Sequence, residues 1–473
     1  MSDKANAKPR KSFFVDMLVR DIELKDTLLD LLDNCVDGIL RSSDPDHTAD
    51  EPYRGYSAHF VISPEYFELT DNCGGIPLEI AKNKAFAIGN PEPIEGEDRI
   101  ATVGRYGIGM KRAIFKLGEN AHVRSWSDIP FQVDITRKWL RSETWAPLPL
   151  RTLDESEFEK RGTSIVIDQL RERARKEFAG KSFIRELEIE ISQSYALIIR
   201  KGFAVTIRSH PDDPIPPPIP SKSLRFLAQP EIKAGAECLA PYAYVGTVGS
   251  VKIEVYAGLY RQLPEEAERE KEEETRGSAD EAGWTVVCND RVVVWKDRTR
   301  LTGWGEANVP NYHGQFIAIS GIVLLHSKNL DDLPLTTTKK GVDGASNIYS
   351  IAKDMMREAT KSLTQFTNKW KRSEGDLEKL YRNTRYIDLS VLQKQFPELP
   401  TRPWHKNADI QRYAPKLPVP VTTTTDTRVS FVAHKDDVAT LGLVYFEDPK
   451  ASAKDVGQEA FSRELEHYRE AAE

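Results

Sequence analysis

Residues 22–40, IELKDTLLDLLDNCVDGIL, constrain local structure more than any other stretch of the chain. Leu24, Leu28, Leu31, Leu32, Cys35 and Ile39 recur at spacings of three and four, the period of a helix with one face in a core. Asp30, Asn34 and Asp37, at i, i+4 and i+7, stack on the opposite face. That face has two readings. Carboxylates along a helix ordinarily make a solvated surface. An acidic side chain one turn from an asparagine can also hold a divalent cation and a water. The segments that follow decide between them.

At 473 residues the chain exceeds one ordinary core, so two or three domains are expected. A composition of 40% hydrophobic and 29% charged residues fits a soluble globular protein. No apolar run is long enough to span a bilayer, and MSDKANAKPRKSFF lacks the apolar core of a secretory signal. Cys35, Cys73, Cys238 and Cys288 form no CxxC pair, which points to neither a zinc site nor a disulfide framework. A reducing cytoplasm is the expected location, with no membrane partner. The net charge of −7 gives no support to generic nucleic-acid binding.

Residues 1–12 read as a disordered lead. AHFVI (58–62) and YFELTD (66–71) read as a hairpin, with further strands at 122–126, 131–135, 163–167 and 203–209 and a helix over 182–200. PDDPIPPPIP (211–220) admits no regular helix, because each proline removes a donor and clashes with the preceding turn; it is the expected boundary of a first domain over 13–222. A second, 223–385, is strand-rich (YAYVGTV, SVKIEVYAGLY, WTVVCNDRVVVW, QFIAISGIVLL), interrupted by a charged run at 264–283 and closed by a long polar helix over 346–383. Residues 386–427 read as an irregular linker. The end, 428–473, reads as a strand, RVSFVA, and two helices. It fits a dimerisation or ribbon-helix-helix-like module, and equally a helical cap packed on the rest.

Three glycine-bearing segments sit between these elements. In FELTDNCGGIP (67–77), Asp71 ends a strand and Gly74 and Gly75 permit a tight loop. The aspartate is either a turn former or an acceptor for an exocyclic amine. In VGRYGIGMKRAIFKLG (103–118), Gly104, Gly107 and Gly109 precede an amphipathic helix, where exposed backbone N–H groups can cradle phosphate; glycines also mark plain turns. The 86–103 stretch reads as a lid. Arg161-Gly162-Thr163 opens a strand and brings a hydroxyl towards Asp71.

In this order, across residues 13–210, the four motifs resemble those of the GHKL ATPase superfamily (gyrase B, the ninety-kilodalton heat-shock chaperones, histidine kinases, MutL). YGIGMK and the later segments look most like its MORC and MutL side, and FFVDMLVRDIELKDTLLDLLDNCVDG like a group of poorly characterised bacterial ATP-binding proteins. The resemblance implies an α/β (α+β) fold: a two-layer Bergerat-fold ATPase domain, a transducer-like α/β domain and a small C-terminal α/β module. It implies ATP and Mg²⁺ as cofactors. Asp30 takes the place of the usual glutamate base and is one methylene shorter, Asn34 is the magnesium ligand, and Asp37 orients the loop or the metal's shell. Asp71 reads adenine, with Cys73 where the family has a first glycine and Gly75 keeping the second. Ile76 flanks that loop. Gly104, Gly107, Ile108, Gly109, Met110 and Lys111 match the phosphate-cradling segment, and Thr163 the threonine sharing a water with the aspartate. In LPLTTTKKGVD (333–343), Lys339 matches the transducer lysine that reaches the γ-phosphate, with Lys340 second. The implied activity is slow ATP hydrolysis driving lid closure and homodimerisation, with DNA or a protein as possible partner. The alternative is a non-hydrolysing ATP-binding switch that regulates assembly.

Overall fold

Period-two alternation in AHFVI and FELTD produces the first strand pair. β1 (Ser57–Ile62) and β2 (Phe67–Asp71) run antiparallel with Phe60 opposite Leu69. In the computed structural model, which describes residues 10–20, 22–43, 49–87, 108–231, 235–264, 281–336, 339–371, 377–420 and 429–470, they belong to a seven-stranded sheet. Its order is β5-β4-β3-β6-β2-β1-β7, with β3 (Ala121–Trp126), β4 (Phe131–Ile135), β5 (Leu150–Thr152), β6 (Gly162–Ile167) and β7 (Ala204–Arg208). Among the described residues only the β1–β7 pairing is parallel within it. Burial alternates strictly along β3 and β4, so one face of each strand enters the core and the other is part-exposed.

Among its described residues this half has eight helices: α1 (Lys11–Arg20), α2 (Leu24–Ser43), α3 (Leu78–Ile80, running into a π-helical turn Ala81–Ala85), α4 (Gly109–Leu117), α5 (Arg137–Arg141), α6 (Glu172–Phe178), α7 (Phe183–Ser194) and α8 (Ala196–Arg200). Leu28, Leu32 and Val36 of α2 share one core with Ile114 and Phe115 of α4 and with Phe60, Leu69, Val123 and Ile165 of the sheet. The helix expected over 182–200 breaks at Tyr195, whose backbone leaves the helical region between α7 and α8.

A second seven-stranded sheet has the order β12-β11-β13-β10-β9-β16-β15. Its strands are β9 (Tyr242–Val248), β10 (Val251–Leu259), β11 (Gly283–Cys288), β12 (Arg291–Asp297), β13 (Ile319–His326), β15 (Arg402–Trp404) and β16 (Asn407–Tyr413). β8 (Arg225–Ala228) pairs with β14 (Arg385–Asp388) in a separate ribbon. The helix Asn347–Trp370 packs into this core through Tyr349, Ala352, Met356, Ala359, Leu363, Phe366 and Trp370, so it is amphipathic rather than polar all round.

Several boundaries differ from expectation. The described residues up to Pro420 fall in one compact unit, Met1–Pro420. The proline-rich stretch is irregular, but it docks: Ile219 is buried in the first core and its N–H donates to Val205 O at 2.8 Å. Residues 386–413 are not a linker. They complete β14 and supply β15 and β16, because Trp404, Ile410 and Tyr413 find apolar sites against the second sheet. Lys11 and Ser12 already belong to α1, where Lys11 donates to Trp139 O and lies 3.3 Å from the centre of that ring. The expected strand at 428–433 forms no ladder among the described residues. The lid expected at 86–103, the charged run at 264–283, and Gly104 and Gly107 lie wholly or mostly outside the described residues. The second unit, Val421–Glu473, contains the helices Lys435–Phe446 and Ala453–Glu470. Among the described residues no helix is long and apolar enough to cross a membrane.

Candidate functional site

Helix α2 buries its acidic side as well as its apolar one. Asp30, Asp33 and Asp37 are 7%, 1% and 4% exposed, so a solvated surface is ruled out for them. Such burial requires partners. Asp30 and Asp37 line a cavity of about 270 Å³ with Asn34 between them. Asp33 points elsewhere. Its Oδ1 accepts from Tyr195 Oη at 2.6 Å and Arg291 Nε at 3.0 Å, and its Oδ2 from Lys339 Nζ at 2.6 Å. Burial pushes this carboxyl up, but Lys339 and Arg291 together outweigh it and hold Asp33 below the ordinary carboxylate value.

Asp71 stands where β2 ends. Its Oδ1 accepts from the N–H of Cys73 at 2.8 Å and of Thr163 at 3.3 Å, and the Cys35 thiol donates to Oδ2 at 3.4 Å. Protein surrounds the carboxyl on every side but the cavity. Desolvation pushes it up to about 6 despite those donors. The Thr163 hydroxyl is not the group that meets Asp71. It pairs with Ser125 Oγ at 2.9 Å, and Ser125 in turn accepts from the Ile76 N–H at 2.8 Å. Ser125 thus ties the Gly75-Ile76 loop to β6.

Two glycines are required here. Gly75 has φ +67°, and a Cβ on it would lie 2.2 Å from Trp126 O. A Cβ on Gly162 would lie 1.9 Å from Asp71 O. Gly162→Ala is therefore expected to force β6 away from β2 and destabilise the first sheet by about 3 kcal/mol or more. Thermal unfolding followed by circular dichroism checks this, and an unchanged midpoint would refute the close approach.

Helix α4 enters the cavity at its N-terminus. Ile108, Gly109, Met110 and Lys111 all line it. A Cβ on Gly109 would meet Asp30 Cβ at 3.3 Å, so the glycine lets α4 lie against the acidic helix. Arg112 forms an ion pair with Asp30. Burial raises the Asp30 carboxyl above its ordinary value, and the charges of Lys339 and Arg112 oppose that rise only in part. Lys111 donates to Ala85 O at 2.9 Å and Ala87 O at 2.6 Å, holding the exit of the π-helical turn; burial pulls its ammonium down to about 8.

Of the two candidate lysines, Lys339 lines the cavity and Lys340 does not. Lys340 pairs with Asp26 and, at 2.5 Å, with Glu190, and remains 41% exposed. The Nδ2 of Asn34 is buried without a hydrogen-bond partner among the described residues, and a half-turn of the amide presents its oxygen instead. Five cations (Arg41, Lys84, Lys111, Arg112, Lys339) face three carboxylates (Asp30, Asp37, Asp71) around the cavity, while Leu69, Ile76, Met110 and Ile165 make an apolar part. A polyanion carrying a flat apolar group suits such a lining.

Arg112, Ser125, Tyr195 and Arg291 had no signal in the sequence. Arg112 reads as one of several cations on α4, and Arg291 lies 258 residues from the carboxylate it meets. No protein-family model matches the chain, and no curated protein matches it.

Proposed function

We propose that this chain binds ATP with magnesium in the cavity beside α2 and hydrolyses it slowly, as a GHKL-type ATPase whose second half is transducer-like. One observation carries the reading. Asp30 and Asn34 from α2, Asp71 after β2, Gly109 at the head of α4, Thr163 on β6 and Lys339 from the second half all line one cavity with an excess of positive charge.

The residues fit the cofactor. No cluster of three acidic, histidine or cysteine side chains able to hold a metal exists among the described residues, so a cation here needs phosphate oxygens beside the Asn34 amide. When bound, magnesium neutralises and orients the phosphates. Asp71, accepting from backbone on one oxygen, keeps acceptor capacity for an exocyclic amine. Lys339 supplies a positive charge at the cavity wall. Asp30 is the proton acceptor for an attacking water. Its raised pKa makes it a stronger base than an ordinary aspartate. Asp33 is not among the side chains lining the cavity, and Lys339 and Arg291 hold it below the ordinary carboxylate value, so it is the weaker base.

On this reading, nucleotide binding orders the site and brings two copies together through their first halves, a MORC- or MutL-like cycle in the cytoplasm with DNA or a protein as client. The pairing of Asp30 with Arg112 favours a second reading, an ATP-binding switch that does not hydrolyse. ATP binding, phosphate release and oligomeric state, measured for the parent and Asp30→Asn, separate the two. The ATPase reading expects binding in both and release only in the parent. Binding without release in the parent leaves the switch. No binding in the parent refutes both.

A further inference from the structure

Lys339 faces two ways. It lines the cavity beside α2, and its ammonium is bound to Asp33 Oδ2 at 2.6 Å. The two side chains are 11% and 2% exposed, so water and salt screen the pair little. Asp33 itself does not line that cavity. An anion entering the cavity and the carboxylate behind Lys339 therefore draw on one and the same positive charge. The surrounding bonds make this contact exchangeable. When Lys339 turns away, Asp33 keeps the Tyr195 hydroxyl at 2.6 Å and Arg291 Nε at 3.0 Å, both on Oδ1. Arg291 is fixed by further contacts: it donates to Ser194 O and Val292 O and lies 4.3 Å from the centre of the Tyr195 ring. Lys339 has Asp33 as its one carboxylate within ion-pair distance among the described residues. Its backbone stands at φ +55°, a conformation that surroundings impose on an L residue rather than one it prefers. The neighbouring Lys340 is committed to Asp26 and Glu190 and stays outside the cavity.

We propose that Asp33 is an internal competitor for the anion this cavity binds: it holds Lys339, and a phosphate chain gains that ammonium only by drawing it off Asp33. The inference deepens the nucleotide reading and rests on it for the class of ligand, a polyphosphate. The exchange sets one charge-assisted bond against another, so most of what Lys339 gives the phosphate is offset by what Asp33 loses. Asp33 thus sets the affinity of the site from outside it, and Arg291 and Tyr195 keep its carboxylate from being stranded while Lys339 is away.

The test uses the full chain and inorganic triphosphate, which needs neither the Asp71 contact nor hydrolysis. Calorimetric titrations compare the parent, Lys339→Met, Asp33→Asn and the double variant. Lys339→Met alone is expected to weaken triphosphate by less than about fivefold, because in the parent the gain from that ammonium is already offset at Asp33. Asp33→Asn keeps an oxygen for Tyr195 and Arg291 but no charge for Lys339, and is expected to tighten triphosphate by about fivefold or more. That gain should vanish once Lys339→Met is added, whereas a gain from the mere loss of a negative charge would persist. A larger loss in Lys339→Met, a smaller gain in Asp33→Asn, a gain that survives in the double variant, or no triphosphate binding in any of the four chains would overturn the proposal. The Lys339→Met result is read without Asp33→Asn and decides the matter if that variant fails to fold. The nucleotide reading fails separately, when the parent binds no ATP.

Discussion

Asp33→Ala is expected to lower the unfolding free energy of the first unit by about 3–5 kcal/mol, the usual consequence of removing one partner from a buried ion pair. The substitution strands two cations. Arg291 is 3% exposed and keeps the backbone carbonyls of Ser194 and Val292 and the Tyr195 ring but no carboxylate within ion-pair distance among the described residues, while Lys339 loses its 2.6 Å carboxylate. Arg291→Met should cost less, because it removes the stranded charge along with the bond. The double variant should fall short of the sum of the two, as expected for residues in one network. Denaturant unfolding followed by tryptophan fluorescence reads all three. A loss under about 1 kcal/mol for Asp33→Ala would mean that the cations find other partners. The pH dependence has a definite sign. Because Asp33 is held below its ordinary value in the folded state, its contribution is present above the unfolded-state value and is lost as pH falls through the folded one.

Asp71→Asn is expected to abolish detectable ATP binding and yet to make the ligand-free protein more stable at neutral pH. The amide keeps the shape and can still accept from Cys73 and Thr163. It cannot carry the charge that burial opposes. In the folded protein this carboxyl stands at about 6, against 3.8 ordinarily. A raised acid favours folding while it is protonated, so its contribution declines between about pH 4 and 6 and is fully unfavourable above that. The difference is worth up to about 3 kcal/mol, less whatever hydration reaches the carboxyl through the cavity. Calorimetric ATP titration and thermal unfolding at pH 5 and 8 test both parts. The variant's gain in stability should be larger at pH 8. Retained affinity would remove Asp71 from the proposed adenine contact, and lost stability would mean that its charge is compensated by groups beyond those described.

Local periodicity made much of the fold legible. The hairpin of β1 and β2, the strands β3, β4 and β6, and helix α2 all follow from apolar spacing, because each buries one face against a neighbour close in sequence or topology. β15 and β16 were not legible. Pro403 and the polar run around Asn407 read as irregular, and only the apolar sites of the second sheet for Trp404 and Ile410 select a strand. The failure at 428–433 is the converse: a strand pattern without a partner strand in the described chain. In the site, residues announced by glycines or by helix spacing could be named in advance. The role of Asp33 as the anchor for Lys339 depends on Arg291 and Tyr195, which no spacing brings together.

The tip of the β11–β12 hairpin has a consequence for how the two sheets find each other. Asp290 and Arg291 are adjacent and opposite in charge. Asp290 accepts from Lys201 at 2.7 and 2.8 Å and from Tyr53 at 2.9 Å, while Arg291 grips Asp33. The pair works as a two-pronged key with polarity. Exchange the two residues and each prong meets its own sign, lysine against arginine and aspartate against aspartate. The order of two neighbouring letters thus encodes which way round the second sheet sits on the helix that carries Asp30 and Asn34.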